Sequence, residues 1–94
     1  MSTPLSETQI KNSLTELDGW RTEGDKLMKD FEFSDFREAL AFMVRVGFEA
    51  EEQGHHPEMF NVYNTLTIGL ATHDAGGKVT AKDVKLAKAI DTLL

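Results

Sequence analysis

Apolar and polar positions alternate along this chain with periods that change every ten to twenty residues, and the changes mark out its elements. Ile10, Leu14 and Leu17 recur at i, i+4 and i+7, behind a Ser6–Gln9 pair at capping-box spacing. This predicts an amphipathic helix over about residues 7–17, closed by a turn at Asp18-Gly19. Trp20 to Glu23 reads as a short extended piece, and Gly24-Asp25 as a hairpin turn into a strand from Leu27 to Phe33. There Leu27, Phe31 and Phe33 share one face, with Met28, Asp30 and Glu32 on the other. Lys29 interrupts the apolar face and is expected near a sheet edge.

Helical periodicity then returns. Ser34 is the expected cap, with Asp35 and Glu38 favourable at the positive end of the helix dipole. Phe36, Leu40, Met43, Gly47 and Ala50 form a stripe widened by Ala39 and Val46, and the helix runs to about Gln53, where Gly54 and then Pro57 stop it. Phe60 to Tyr63 and Thr65 to Thr72 read as strands around a tight turn at Asn64, with Leu66, Ile68 and Leu70 on the core face. Asp74 to Gly77 is a loop. Thr80 starts a last helix, with Asp83 at capping-box spacing and Val84, Ala87, Ile90 and Leu94 on its apolar side. The order α-β-β-α-β-β-α predicts an α+β fold: a four-stranded antiparallel sheet with three helices packed on one face, as a single domain over residues 1–94. The other sheet face or an edge strand is then available to a second subunit.

Length sharpens this picture. Ninety-four residues bury too little surface for a wide stability margin, so self-association would help. No segment reaches a membrane span, and Met1-Ser2-Thr3-Pro4-Leu5 lacks the pattern of a secretory leader, so a soluble cytoplasmic protein is expected. The absence of cysteine removes disulfides, thiolate metal sites and cysteine catalysis. A net charge of −6 with no basic run opposes binding to nucleic acid or to anionic lipid. A small molecule or another protein remains as partner.

The candidate chemistry lies in the histidines. All three fall between positions 55 and 73: His55-His56 at the end of the long helix, and His73 at the end of the fourth strand, where the intervening hairpin brings the chain back. Imidazoles exchange protons near neutral pH, so one can donate while another accepts. Glu51, four residues before His55, shares its face if the helix continues that far, and its carboxylate would orient an imidazole. Two readings stay open on spacing alone: a functional cluster, or a helix-terminating loop beside a strand-end surface histidine. A metal site is disfavoured, because adjacent side chains seldom converge on one ion and the helical HExxH pattern is missing. Asp83 is read as a helix cap in preference to a catalytic group. Gly76-Gly77-Lys78 lacks the spacing of a phosphate loop. Trp20 is either core or one wall of a planar-ligand pocket.

Taken together, Glu51-x3-His55-His56-Pro57-x5-Tyr63-x9-His73-x9-Asp83 resembles the signature of the pterin-4a-carbinolamine dehydratase family, with every fixed slot filled across 33 residues. Phe60-Asn61-Val62-Tyr63-Asn64, Leu17-Asp18-Gly19-Trp20 and the Thr72-His73 step resemble it too, so the likeness covers nearly the whole chain. Two positions depart. Gly54 stands where an acidic residue is frequent, and Met59 where tryptophan is.

The resemblance implies dehydration of 4a-hydroxytetrahydropterin (4a-hydroxytetrahydrobiopterin) to quinonoid dihydropterin, recycling the cofactor of aromatic amino-acid hydroxylases. It needs no cofactor and no metal of its own. By that analogy His55, His56 and His73 form the catalytic set, with Glu51 as supporting carboxylate. Gly54, Ala71, Thr72 and Asp74 line the pterin, and Trp20 closes one wall. The resemblance further implies a homodimer or homotetramer. The alternative is a non-catalytic pterin-binding or protein-binding role, as in relatives that act as dimerisation cofactors of a homeodomain transcription factor.

Overall fold

The computed structural model describes residues 3–94; Met1 and Ser2, part of the stretch read for a leader, lie outside the described residues. Ser6 caps α1 (Glu7–Leu14) through the expected box: its hydroxyl accepts from Gln9 N while Gln9 Oε1 accepts from Ser6 N. The helix is shorter than the periodicity implied, since residues 15–18 form turns that carry Leu17 into the core. The hairpin β1 (Arg21–Glu23) and β2 (Lys26–Glu32) follows, then α2 (Phe36–Gln53). The hairpin β3 (Glu58–Val62) and β4 (Thr65–Leu70) leads through a single 3-10 turn at His73–Ala75 into α3 (Ala81–Asp91). The antiparallel sheet has strand order β1-β2-β4-β3. The second hairpin turns at Tyr63, which adopts a positive φ of 51°. Asn64 ties that turn to the end of β2, exchanging hydrogen bonds with Phe33 through backbone and side chain.

Registry sets one face of the sheet against the helices. Leu27 lies opposite Leu70, Lys29 opposite Ile68 and Phe31 opposite Leu66. Phe42 of α2 sits on this row, its ring 5.1 Å from Phe31 and 5.2 Å from Phe33. Val46 and Ala50 extend the contact along α2, and Leu86, Ala87 and Ile90 close the core from α3. Leu94, expected on the apolar side of α3, is exposed.

Three expectations are corrected here. The cap of α2 is Asp35 rather than Ser34: the Asp35 carboxylate accepts from Glu38 N, and Ser34 N donates to the Glu38 carboxylate. That backbone hydrogen bond holds the Glu38 carboxyl below the ordinary carboxylate range.

Lys29 is not at an edge, because β2 is an interior strand. Its ammonium donates to the Asp18 carbonyl at 2.8 Å and pairs with Asp91 at 3.0 Å, and it lies 5.1 Å from the Phe31 ring centroid. Its charge is thus met inside the helical layer.

The third concerns α2, whose inward face is Ala39, Phe42, Val46 and Ala50. Phe36 and Leu40, expected inward, instead join Val44 and Phe48 in an outward row at four-residue spacing, with Phe48 74% exposed. The helix is apolar on two sides, and one copy of the chain covers only one of them.

Candidate functional site

The end of α2 decides where the histidine pair points. Gly54 takes the left-handed conformation, with φ at 65°, that a helix-terminating reversal requires. His55 N donates back to the Ala50 carbonyl, so the chain leaves the helix axis sharply before Pro57. After that reversal the two adjacent imidazoles meet different carboxylates.

His55 is nearly enclosed, its side chain 11% exposed, and its Nε2 lies 2.5 Å from Oδ1 of Asp83, whose side chain is fully buried. A carboxylate only accepts, so Nε2 donates, and the neutral ring is left with Nδ1 as its unprotonated nitrogen. The other oxygen of Asp83 accepts from Thr80 N and from the Thr72 hydroxyl, both at 2.8 Å. Thr72 and Thr80 share a further hydroxyl contact of 2.6 Å. With the Thr72 proton directed at Asp83, Thr80 donates to Thr72 and accepts from Lys82 N. Thr72, Thr80 and Asp83 are all buried, and each has hydrogen-bond partners, among themselves and with His55 and Lys82 N.

His56 is the opposite case. It is exposed, and its Nε2 lies 2.7 Å from the Glu51 carboxylate, itself on the solvent side of α2. Glu51 therefore serves His56 rather than His55, the histidine four residues on, because α2 ends at Gln53 and the reversal carries His55 towards α3. His73 opens the 3-10 turn after β4. That turn is held shut by Thr72 N donating to the Lys78 carbonyl and by Ala75 and Gly77 amides donating to the Thr72 carbonyl.

These pieces line one open hollow of about 350 Å³: the histidine trio with Gly54, Ala71, Thr72, Asp74 and Lys82. Every residue expected at the site by resemblance is brought there or beside it, with Glu51 bonded to His56, except one. Trp20 lies in the core, its ring edge-on to Phe31 and its Nε1 donating to the Asp91 carboxylate, so it walls no part of the hollow. The Thr72 hydroxyl faces Asp83 rather than the opening.

Asp83 does more than the capping it was expected to do, because one oxygen caps α3 while the other holds His55. Its place ten residues after His73 was the signal; reading it as a cap alone missed the second bond. Lys82 was not singled out, and an isolated lysine in a helix's first turn carries no pattern to find it by.

A larger hollow of about 550 Å³, between α1 and the β1–β2 hairpin, contains none of these residues. Volume alone is no guide to the chemistry. Among the described residues no three His, Asp or Glu side chains converge as metal ligands, and no helix is long and apolar enough to cross a membrane.

Comparison with known proteins gives a consistent picture. The family model for pterin 4 alpha carbinolamine dehydratase matches residues 3–93. A protein of Opitutus terrae provisionally named pterin-4-alpha-carbinolamine dehydratase is 55% identical over 93 residues, spanning 99% of this chain and 96% of that one. A similarly named protein of Solibacter usitatus is 50% identical, spanning 99% and 97%. Among solved structures, a transcriptional coactivator/pterin dehydratase from Brucella melitensis superposes with a TM-score of 0.92 at 35% identity, over 97% of this chain and 98% of that one. A pterin dehydratase-like protein described as a RuBisCO assembly factor of the alpha-carboxysome superposes with a TM-score of 0.67 at 26% identity, over 80% and 88%.

Proposed function

The chain belongs to the pterin-4a-carbinolamine dehydratase family, and from that premise we propose that it is a working dehydratase, acting as a single domain on 4a-hydroxytetrahydropterin. The observation that carries this reading is the gathering of three histidines in one hollow, two of them each bonded to its own carboxylate. In the reaction the C4a–oxygen bond breaks and the hydroxyl leaves as water after receiving a proton. N5 gives up its proton, and the electron pair of that N–H bond becomes the new C4a–N5 double bond. One acid and one base are needed, and no electron transfer occurs.

The trio meets that requirement from the chain's own side chains. Asp83 fixes the ring plane and proton position of His55, leaving Nδ1 as a nitrogen that accepts. The more accessible His56, backed by Glu51, and His73, on its closed turn, flank the reacting carbon and nitrogen. Backbone groups at Gly54 and Ala71 and the Asp74 side chain pair with the amide-like pyrimidine edge. Gly54 favours this reversal, since a left-handed residue costs glycine nothing.

Self-association completes the proposal. The outward row of Phe36, Leu40, Val44 and Phe48 and the free edge of β3, with Phe60 and Val62 exposed beside it, are two surfaces for a homodimer or homotetramer. The same α2 row supports the second reading, a protein-binding role independent of turnover.

Stopped-flow absorbance of freshly generated 4a-hydroxytetrahydropterin, with wild type beside His56→Ala, separates the two. Acceleration by the wild type that the folded variant loses is the expected result. No acceleration by folded wild type overturns the dehydratase reading in favour of binding alone.

A further inference from the structure

The 550 Å³ hollow between α1 and the β1–β2 hairpin shares no residue with the histidine hollow. Its wall is aliphatic: Leu5, Ile10 and Leu14 from the α1 side and Val79 from the segment leading into α3. Leu5 N donates to the Val79 carbonyl at 2.8 Å before α1, and Leu17 enters the core after it, so the helix is anchored at both ends. Between those anchors α1 contains no buried residue. Ile10 and Leu14 rest against the core only in part, and the remainder of their apolar surface borders the hollow.

Four charged side chains edge this wall, two of each sign. Asp25 and Lys78 are paired with each other at 2.9 Å. Glu7 and Lys11 stand one helical turn apart on α1, both exposed, and among the described residues neither takes part in an ion pair. A contact between them across one exposed turn is worth little, so a ligand that inserts there displaces it at small cost.

A carboxylate and an ammonium one turn apart, above an aliphatic wall, complement a molecule with both opposite charges on one carbon and an apolar body beside them. We propose that this hollow is a second ligand site, and that it takes a free α-amino acid with a bulky apolar side chain. The ligand's carboxylate meets Lys11, its ammonium meets Glu7, and its side chain covers Ile10, Leu14 and Val79. The volume falls within the range of small-molecule sites and leaves room for a ring. A fatty acid would bring a second carboxylate beside Glu7, a cationic amphiphile a second ammonium beside Lys11, and a phosphate would meet both Glu7 and Asp25.

The test titrates the full chain with L-tryptophan, with tryptamine, which lacks the carboxylate, and with indole-3-propanoate, which lacks the ammonium. Amide and methyl NMR shifts report both the Kd and the place of binding. L-Tryptophan is expected to bind with a Kd of about a millimolar or tighter, with shifts centred on Ile10, Leu14 and Val79. Each analogue should bind roughly tenfold more weakly, the scale of one charge-assisted hydrogen bond. Glu7→Gln and Lys11→Met change exposed groups and leave the fold intact, which the unperturbed spectra check. Both should weaken L-tryptophan by about the same factor, while Lys11→Met leaves tryptamine unchanged and Glu7→Gln leaves indole-3-propanoate unchanged. The absence of saturable shifts overturns the site, as do shifts centred on His55 and His73. Equal affinity for all three compounds, or L-tryptophan binding that survives both substitutions, overturns the zwitterion as its ligand.

Discussion

Asp83→Asn is the most informative single change, because it separates the two tasks of one carboxylate. The amide keeps the shape of the side chain and one acceptor oxygen. Placed where Oδ2 now stands, that oxygen retains the bonds from Thr80 N and the Thr72 hydroxyl. The NH2 group then faces His55 Nε2 at the position where Oδ1 now accepts. Two donors cannot share that contact, so the imidazole must move its proton to Nδ1, the nitrogen that the proposed mechanism needs free.

The fold loses one charge-assisted bond, about 1–2 kcal/mol. On the proposed mechanism turnover loses a correctly protonated base, roughly two to four orders of magnitude by comparison with other histidine–carboxylate pairs. Asp83→Ala is different. It strands three donors in a site with no solvent exposure, costing on the order of 3–5 kcal/mol, a large part of the stability of a domain this size. Denaturant unfolding gives the stability differences, stopped-flow the turnover, and nitrogen chemical shifts of His55 the tautomer. Folded Asp83→Asn with turnover within about threefold of wild type would refute the positioning argument, and Asp83→Ala as stable as Asp83→Asn would refute the burial argument.

Other outcomes follow from the same geometry. His73→Ala should keep the fold and oligomer while turnover drops by roughly two orders of magnitude, measured alongside circular dichroism. Lys29→Ala removes the cationic partner of Asp91, which keeps its bond from Trp20 Nε1, and should cost about 2 kcal/mol in urea unfolding; a loss below about 0.5 kcal/mol would make the pair incidental. Glu38 has a folded pKa below its unfolded one, so its contribution is present above the ordinary carboxylate range and is lost as pH falls through the folded value. The stability gap between wild type and Glu38→Gln should accordingly be seen at neutral pH and close in acid, and a gap that widens in acid contradicts this sign. Phe48→Glu should lower the assembly state in sedimentation velocity, since it places a charge in the outward α2 row; an unchanged sedimentation coefficient argues against that face.

Much of this protein was legible from its sequence because much of it is local. Periodicity and caps depend on residues three or four apart, so Ser6 with Gln9 and Thr80 with Asp83 marked their helices directly. The same local logic gave the order of elements, the two hairpins and the return of His73 to the neighbourhood of His55 and His56. Tertiary structure decided the pairings. His55 takes a carboxylate 28 residues away because α2 reverses at Gly54 and α3 packs beside it, while His56 turns back to Glu51. Lys29 and Trp20 share Asp91 at separations of 62 and 71 residues, which no spacing rule reaches. Phe36 and Phe42 are equally apolar, yet only Phe42 is covered, since burial depends on which face of α2 meets the sheet. A chain writes its periodicities in its own order, but the partner of a buried charge is chosen by packing, where elements distant in that order come into contact.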